Sequence, residues 1–180
     1  MRRLALIFMG ITFILSSCGQ NLELESLRTL DQGELIGLKG ENSTYTWKGV
    51  PFAEPPVGEL RWKEPKKAKV WNGRLEASKF KQGCFQRASF LENTQGKWSG
   101  GEDCLYLNIW TPQLSNQEIK ESPKKLPVMM WIHGGANVVG SAHTYDPSSL
   151  VSNHEVVVVT IQYRMGPLGW FRHPALRTEE

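Results

Sequence analysis

Long hydrophobic runs are missing from this sequence. The longest, Leu4 to Leu15, has 12 residues and as a helix spans roughly 18 Å, short of the ~30 Å hydrocarbon core of a bilayer. That excludes a membrane bundle and argues against a transmembrane anchor. An excess of one charge is missing too. The net charge is +3, two of it from Arg2 and Arg3, and setting those aside leaves 19 Lys+Arg against 18 Asp+Glu. A nucleic-acid binder shows a basic stripe, and none is present here. Cysteine and histidine are scarce, at 3 and 4 residues, with no C-x-x-C pair and no ligand spacing. His154-Glu155 begins like a zinc-protease motif, but Val158 stands where the second His is required. No metal or other cofactor is therefore expected. Repeats and low-complexity tracts are absent as well. With 40% hydrophobic and 22% charged residues, the composition is that of a globular chain rather than a disordered or collagenous one.

What is present begins with an address. Arg2 and Arg3 precede the apolar run, which ends in Ser16, Ser17 and Cys18. A basic start, a short apolar stretch and small residues form the layout of a secretory signal. Leu15-Ser16-Ser17-Cys18 resembles a bacterial lipobox, whose Cys becomes the lipidated first residue of the mature protein. The expectation is a signal at 1–17, lipid on Cys18 and a tether at 18–32, with the body exported and membrane-anchored. Gly19 rather than Asp after the Cys leans towards the outer membrane or cell surface. A plain secretory signal with an incidental Cys is the alternative. With Cys18 lipidated, Cys84 and Cys104 remain as a pair, and their 19 intervening residues close a loop worth ~3 kcal/mol in the chain-entropy model.

The body, from residue 33 to 180, reads as an α/β protein. Gly33 to Val50 alternates loosely and predicts short strands turning at Gly40-Glu41-Asn42. Pro51 to Pro65 carries four prolines and predicts an extended loop. Leu105 to Trp110, Pro127 to Ile132 and Val156 to Ile161 predict strands, the last two apolar enough to be buried on both faces of a sheet. Gln113 to Lys125 reads as a polar surface turn. Asp146 as N-cap with Pro147 at the first helical position predicts a short crossover helix. Strand, loop, helix and strand make an α/β unit.

Four stretches carry a family resemblance. They are Lys48-Gly49-Val50-Pro51-Phe52-Ala53-Glu54-Pro55-Pro56-Val57-Gly58 leading to Leu60-Arg61-Trp62, then Glu102-Asp103-Cys104-Leu105-Tyr106-Leu107-Asn108-Ile109-Trp110, then Trp131-Ile132-His133-Gly134-Gly135-Ala136, and Tyr163-Arg164-Met165-Gly166-Pro167-Leu168-Gly169. In this order they resemble the type-B carboxylesterase and lipase family, which includes the cholinesterases. The resemblance implies the N-terminal portion of an α/β-hydrolase fold: a mixed, mostly parallel sheet with an antiparallel part at its start. It implies cleavage of a carboxylic ester, a small-molecule substrate, through an acyl-serine intermediate. It makes Gly135 and Ala136 the N–H donors of an oxyanion hole, the Gly-rich cradle that follows a sheet strand in such enzymes. Ala136 stands where the family often writes a third Gly, and Asn137 where an aromatic residue is common. The resemblance also makes Cys84–Cys104 the family's first disulfide and Arg61–Glu102 a structural ion pair.

A serine esterase needs a nucleophile, a base and an acid that orients the base. No serine here has Gly two residues away on both sides. Ser141 has Val139 before it and His143 after, and Ser141 following Gly140 also breaks a phosphate-binding loop, which requires Lys there. None of the four His is a credible base, and His133 reads as structural. The resemblance implies that the whole triad lies downstream of Glu180 in a longer protein. The expectation is a truncated esterase, inactive by itself. A noncatalytic binding or adhesion module, or a product without function, are the alternatives. The intact Gly-Gly loop favours the first.

Overall fold

The computed structural model describes residues 22–87 and 97–176. In chain order its strands and helices are β1 (Arg28–Leu30), β2 (Gly33–Ile36), β3 (Leu38–Lys39), β4 (Thr44–Pro51), β5 (Arg74–Glu76), β6 (Gln86–Arg87), β7 (Trp98–Ser99), β8 (Tyr106–Pro112), α1 (Asn116–Glu121), β9 (Val128–Ile132), α2 (Ser148–His154), β10 (Val157–Ile161) and α3 (Gly166–Trp170). The main sheet has the order β3-β4-β8-β10-β9, beside a small β1-β2-β5 sheet and a β6-β7 ribbon. Its first three neighbour pairs are antiparallel and the pair β10/β9 is parallel. An antiparallel entry thus leads into one parallel unit, with α2 as the crossover.

The core follows from the apolar strands. Leu35, Tyr45, Trp47, Val50 and Ala77 pack between the small sheet and β4, and Trp110, Val151, Val156 and Val158 pack α2 onto β8 and β10. The crossover helix starts where Asp146 and Pro147 predict, one residue later than expected, and the Asp146 carboxylate accepts the Ser148 N–H at 2.8 Å. One buried polar side chain ties three strands together. The register of β4 shifts between Trp47 and Val50, and the Gly49 N–H freed by that bulge donates to Asn108 Oδ1 at 2.8 Å. The Asn108 amide in turn donates to Thr160 Oγ1 at 3.0 Å. A bulge strands a backbone donor, and Asn108 meets it from the middle of β8.

Three expectations need correction. The tether expected at 18–32 is, from residue 22 on, part of the folded body: Leu22 bridges to Leu38, β1 pairs with β2, and Ser26 is buried. Its polar text conceals that the Ser26 hydroxyl accepts the Gly37 N–H and the Ser26 carbonyl accepts the Trp47 indole N–H. Gln113–Lys125 is not only a turn. It contains α1, started by a Ser115/Glu118 capping box, which the S-x-x-E spacing signals. Finally, the two apolar strands were expected to be alike in burial. The crossover places β10 between β8 and β9, so β9 is the outermost described strand. Val128, Met130 and Ile132 there are 63%, 59% and 64% exposed. The signal end through Cys18 lies outside the described residues.

The bulge bridge generates a prediction. Replacing Asn108 by Leu keeps the branching of the side chain and orphans the Gly49 N–H, at a cost of ~1–3 kcal/mol. Urea unfolding should show a lowered midpoint with an unchanged slope, and an unshifted midpoint would contradict the bridge.

Candidate functional site

The loop that leaves β9 at His133 folds back on itself within a few residues. Gly135, Ala136 and Asn137 follow one another at φ 120°, 55° and 60°. The Gly135 carbonyl accepts two amides, Val138 N–H at 3.0 Å and Val139 N–H at 3.1 Å. Gly135 has no substitute here, because a Cβ on it runs into the Val139 carbonyl. Ala136 adopts a left-handed conformation that an L residue enters at a cost of roughly 1–2 kcal/mol. Asn137 enters it more readily, since Asn tolerates this region. Asn therefore suits the backbone at a place where the resemblance makes an aromatic residue common.

The result is a turn whose N–H groups divide into two sets. Those of Val138 and Val139 point inward to the Gly135 carbonyl. Those of Gly135, Ala136 and Asn137 donate no hydrogen bond among the described residues, and all three residues are exposed. Successive unpaired N–H groups in a turn make a concavity that attracts an anion or a developing negative charge.

The loop is anchored by buried groups. His133 is buried and stacks on Tyr163 with ring centroids 4.2 Å apart. The Tyr163 hydroxyl donates to the His133 carbonyl at 2.6 Å, and the Gly166 N–H donates to the Asn137 carbonyl at 2.8 Å. His133 Nδ1 lies 2.9 Å from the Gly134 carbonyl, so it carries the proton, while buried Nε2 has no partner among the described residues. Burial pushes this imidazole below its ordinary 6.5, against the hydrogen bond to Gly134, and nearby His143 adds to the lowering. His133 is therefore neutral and structural at pH 7. The same chain stretch that carries Tyr163 and Gly166 thus supports the loop, an association that motif order alone does not reveal.

The other expected residues lie close by. Cys84 and Cys104 form a disulfide with Cα atoms 4.9 Å apart, buried with Ala53, Leu105 and Met165. Arg61 and Glu102 form a two-pronged ion pair, Nε–Oε2 at 2.5 Å and Nη2–Oε1 at 2.6 Å. This hydrogen bonding holds Glu102 below the usual carboxylate range and raises Arg61. With side chains 40% and 26% exposed, solvent screening limits its worth. Cys18 lies outside the described residues. One pairing was not foreseen: Ser141 Oγ sits 2.6 Å from His143 Nδ1. Ser141 is buried and accepts the His143 backbone N–H as well, so the contact closes a local turn and leaves no approach for a substrate. Among the described residues no group of three His, Cys, Asp or Glu is placed to hold a metal.

Comparison with known proteins defines the class. The profile of the carboxylesterase family matches residues 25–177. The chain belongs to that family. It is 41% identical over 149 residues to the acylcarnitine hydrolase of Mus musculus, covering 78% of this chain and 26% of that protein. It is 41% identical over 145 residues to the para-nitrobenzyl esterase of Bacillus subtilis, covering 79% and 28%. A solved thermophilic PNB esterase superposes with a TM-score of 0.72 at 37% identity, over 84% of this chain and 30% of that one. A carboxylesterase of Geobacillus stearothermophilus gives 0.65 at 37% identity, over 81% and 28%. The fold is thus of the α/β-hydrolase class. The chain spans about a quarter to a third of the length of these relatives.

Two predictions follow from the loop. Ala136→Gly relieves the left-handed strain and should raise stability by about 1 kcal/mol, seen as a higher urea midpoint; a lower one would contradict the assigned backbone. For pH, a depressed folded value means that the His133 contribution is fully present above about 6.5 and lost as pH falls through the lower folded value. The Glu102 contribution is lost only further down, below the ordinary 4.5. Urea midpoints between pH 7 and 5 should therefore decline in the wild type and flatten in His133→Phe. An identical decline in both would contradict the His133 assignment.

Proposed function

We propose that this protein is a carboxylic ester hydrolase of the serine-esterase type, and that the described chain supplies its oxyanion cradle. One observation carries the reading. Directly after a sheet strand, Gly135 and Ala136 hold two neighbouring N–H groups that donate no hydrogen bond among the described residues, in a turn fixed by the pairing of the Val138 and Val139 amides. Acyl transfer builds negative charge on the carbonyl oxygen, and donors fixed before the reaction stabilise it without reorganisation. The ester carbonyl lies against these two N–H groups, and they shorten onto the oxyanion as the tetrahedral intermediate forms. The names of the relatives, hydrolases and esterases of carboxylic esters, support this substrate class. The chain itself has no G-x-S-x-G serine, so nucleophile, base and acid come from sequence beyond it.

The protein is further proposed to be an exported bacterial lipoprotein held at a membrane by lipid on Cys18. The lipobox-like Leu15-Ser16-Ser17-Cys18 supports this. So does the Cys84–Cys104 bond, since disulfides persist in oxidising compartments.

Three outcomes are expected. The 180-residue chain should not hydrolyse 4-nitrophenyl acetate above its heat-denatured control; burst kinetics would reveal a nucleophile and overturn the division of labour. In a chain extended through a G-x-S-x-G serine, replacing Ala136 by lactic acid removes one N–H and keeps the side chain. It should lower kcat by ~10²–10³, and an unchanged kcat would remove Ala136 from the cradle. Proline at Gly135 is not a clean substitute, because its fixed φ of about −65° conflicts with the turn. Labelled palmitate should enter the wild-type protein and not Cys18→Ala; equal labelling would refute the anchor.

A further inference from the structure

Tyr163 and Gly166 hold the entry and the middle of the loop, while its exit is held by two side-chain amides that lie in no shared motif. Gln86 is buried on β6, two residues beyond Cys84. Its carboxamide grips both halves of one glycine: Gly140 N–H donates to Oε1 at 2.7 Å, and Nε2 donates to the Gly140 carbonyl at 2.9 Å. The same Nε2 reaches the Cys84 carbonyl at 3.1 Å. Gln162, also buried, accepts the Ala142 N–H at 2.6 Å. Gly140 lies flat against His133 at φ 132°, where a Cβ would strike the ring and the Gly134 carbonyl. The grip on Gly140 therefore bears directly on the residues that start the loop.

We propose that Gln86 is the positioning residue of this loop, and that the Cys84–Cys104 disulfide acts on the loop through it. For catalysis the proposal rests on the ester-hydrolase reading; for the loop itself it does not. The physical logic is one of rigidity. Gly135, Ala136 and Asn137 sit in conformations that relax readily once the ends of the turn are free. An amide that accepts from the N–H and donates to the C=O of one residue ties down both peptide groups that flank it. The disulfide holds the backbone from which Gln86 projects, so the bond stiffens the loop without touching it. Preorganised donors lose their advantage if they must be reordered at the moment of reaction.

Hydrogen exchange on the 180-residue chain tests this at amides that Gln86 does not touch: Val138, Val139 and Gly166. Gln86→Met keeps the length of the side chain and removes both amide groups. It should speed exchange at these three positions roughly tenfold, equivalent to about 1.4 kcal/mol, with β8 and β10 unchanged. Unchanged rates at the three would overturn the proposal. Should Gln86→Met loosen the sheet as well, Gly83→Ala carries the test. Its Cβ would lie 3.1 Å from Gln162 Nε2 and 3.3 Å from Gln86 Nε2, pressing on both amides without removing either. A smaller rise confined to the loop supports the grip, and none refutes it. Cys84→Ser with Cys104→Ser should raise the same three rates and add nothing further in the Gln86→Met background; additive effects would refute the coupling. In a chain extended through the nucleophile, Gln86→Met should lower kcat up to ~10²-fold at constant KM. A raised KM with kcat intact would overturn the catalytic part. Absence of turnover in the wild type would defeat the ester-hydrolase reading and leave the exchange result standing.

Discussion

The carbonyl of Gly135 accepts two amides, from Val138 and Val139, and the character of the loop depends on that double acceptance. It forces the chain back within three residues, through a run of positive φ angles at 135, 136 and 137. Only a glycine fits at the first of them, because the returning Val139 carbonyl fills the space of a Cβ. The turn consumes the N–H groups of 138 and 139, while those of 135, 136 and 137 donate no hydrogen bond among the described residues. A single steric exclusion thus connects the Gly-Gly dipeptide to the shape of the turn.

The surroundings exist to keep that turn in place. β9 delivers the chain, Tyr163 stacks on His133 and bonds its carbonyl, and Gly166 bonds Asn137. These last contacts come from the end of β10 and the start of α3. Their position is set by the pairing of β10 between β8 and β9, and through Asn108 and Thr160 it is linked to the bulge of β4. The family motifs therefore meet in space for identifiable reasons: one supplies the bulge, one the side chain that satisfies it, one the turn and one its support. The outermost described strand, β9, keeps Val128, Met129, Met130 and Ile132 exposed, and an exposed apolar edge strand invites pairing.

Much of this was legible in the residues. Strands at 106–112, 128–132 and 157–161, the helix started by Asp146, and the turn at His133-Gly134-Gly135-Ala136 all leave local marks: apolar runs, caps and glycines. What was not legible is non-local. Strand order is decided by a crossover, so the apolar text of 127–132 and 156–161 does not say which of the two is interior. Residues 22–32 look like a polar tether because Ser26 and Arg28 act through a hydroxyl and a guanidinium that bond distant backbone. Gln86 and Gln162 leave no periodic trace, since a buried amide on a backbone is recognised only when both are placed. The left-handed backbone of Asn137 is not legible from a comparison with the aromatic residue common at that place.

The central claim is that Gly135 and Ala136 form a preformed anion cradle, and it is open to measurement without catalysis. An alkyl phosphonate monoester, whose anionic oxygens imitate the oxyanion, can be titrated into isotopically labelled protein while backbone amide resonances are followed. The account predicts that the Gly135 and Ala136 amide protons move downfield together along one binding curve, while those of Val138 and Val139 stay in place. Shifts at Val138 and Val139 of equal size, or no movement at Gly135 and Ala136, would contradict it.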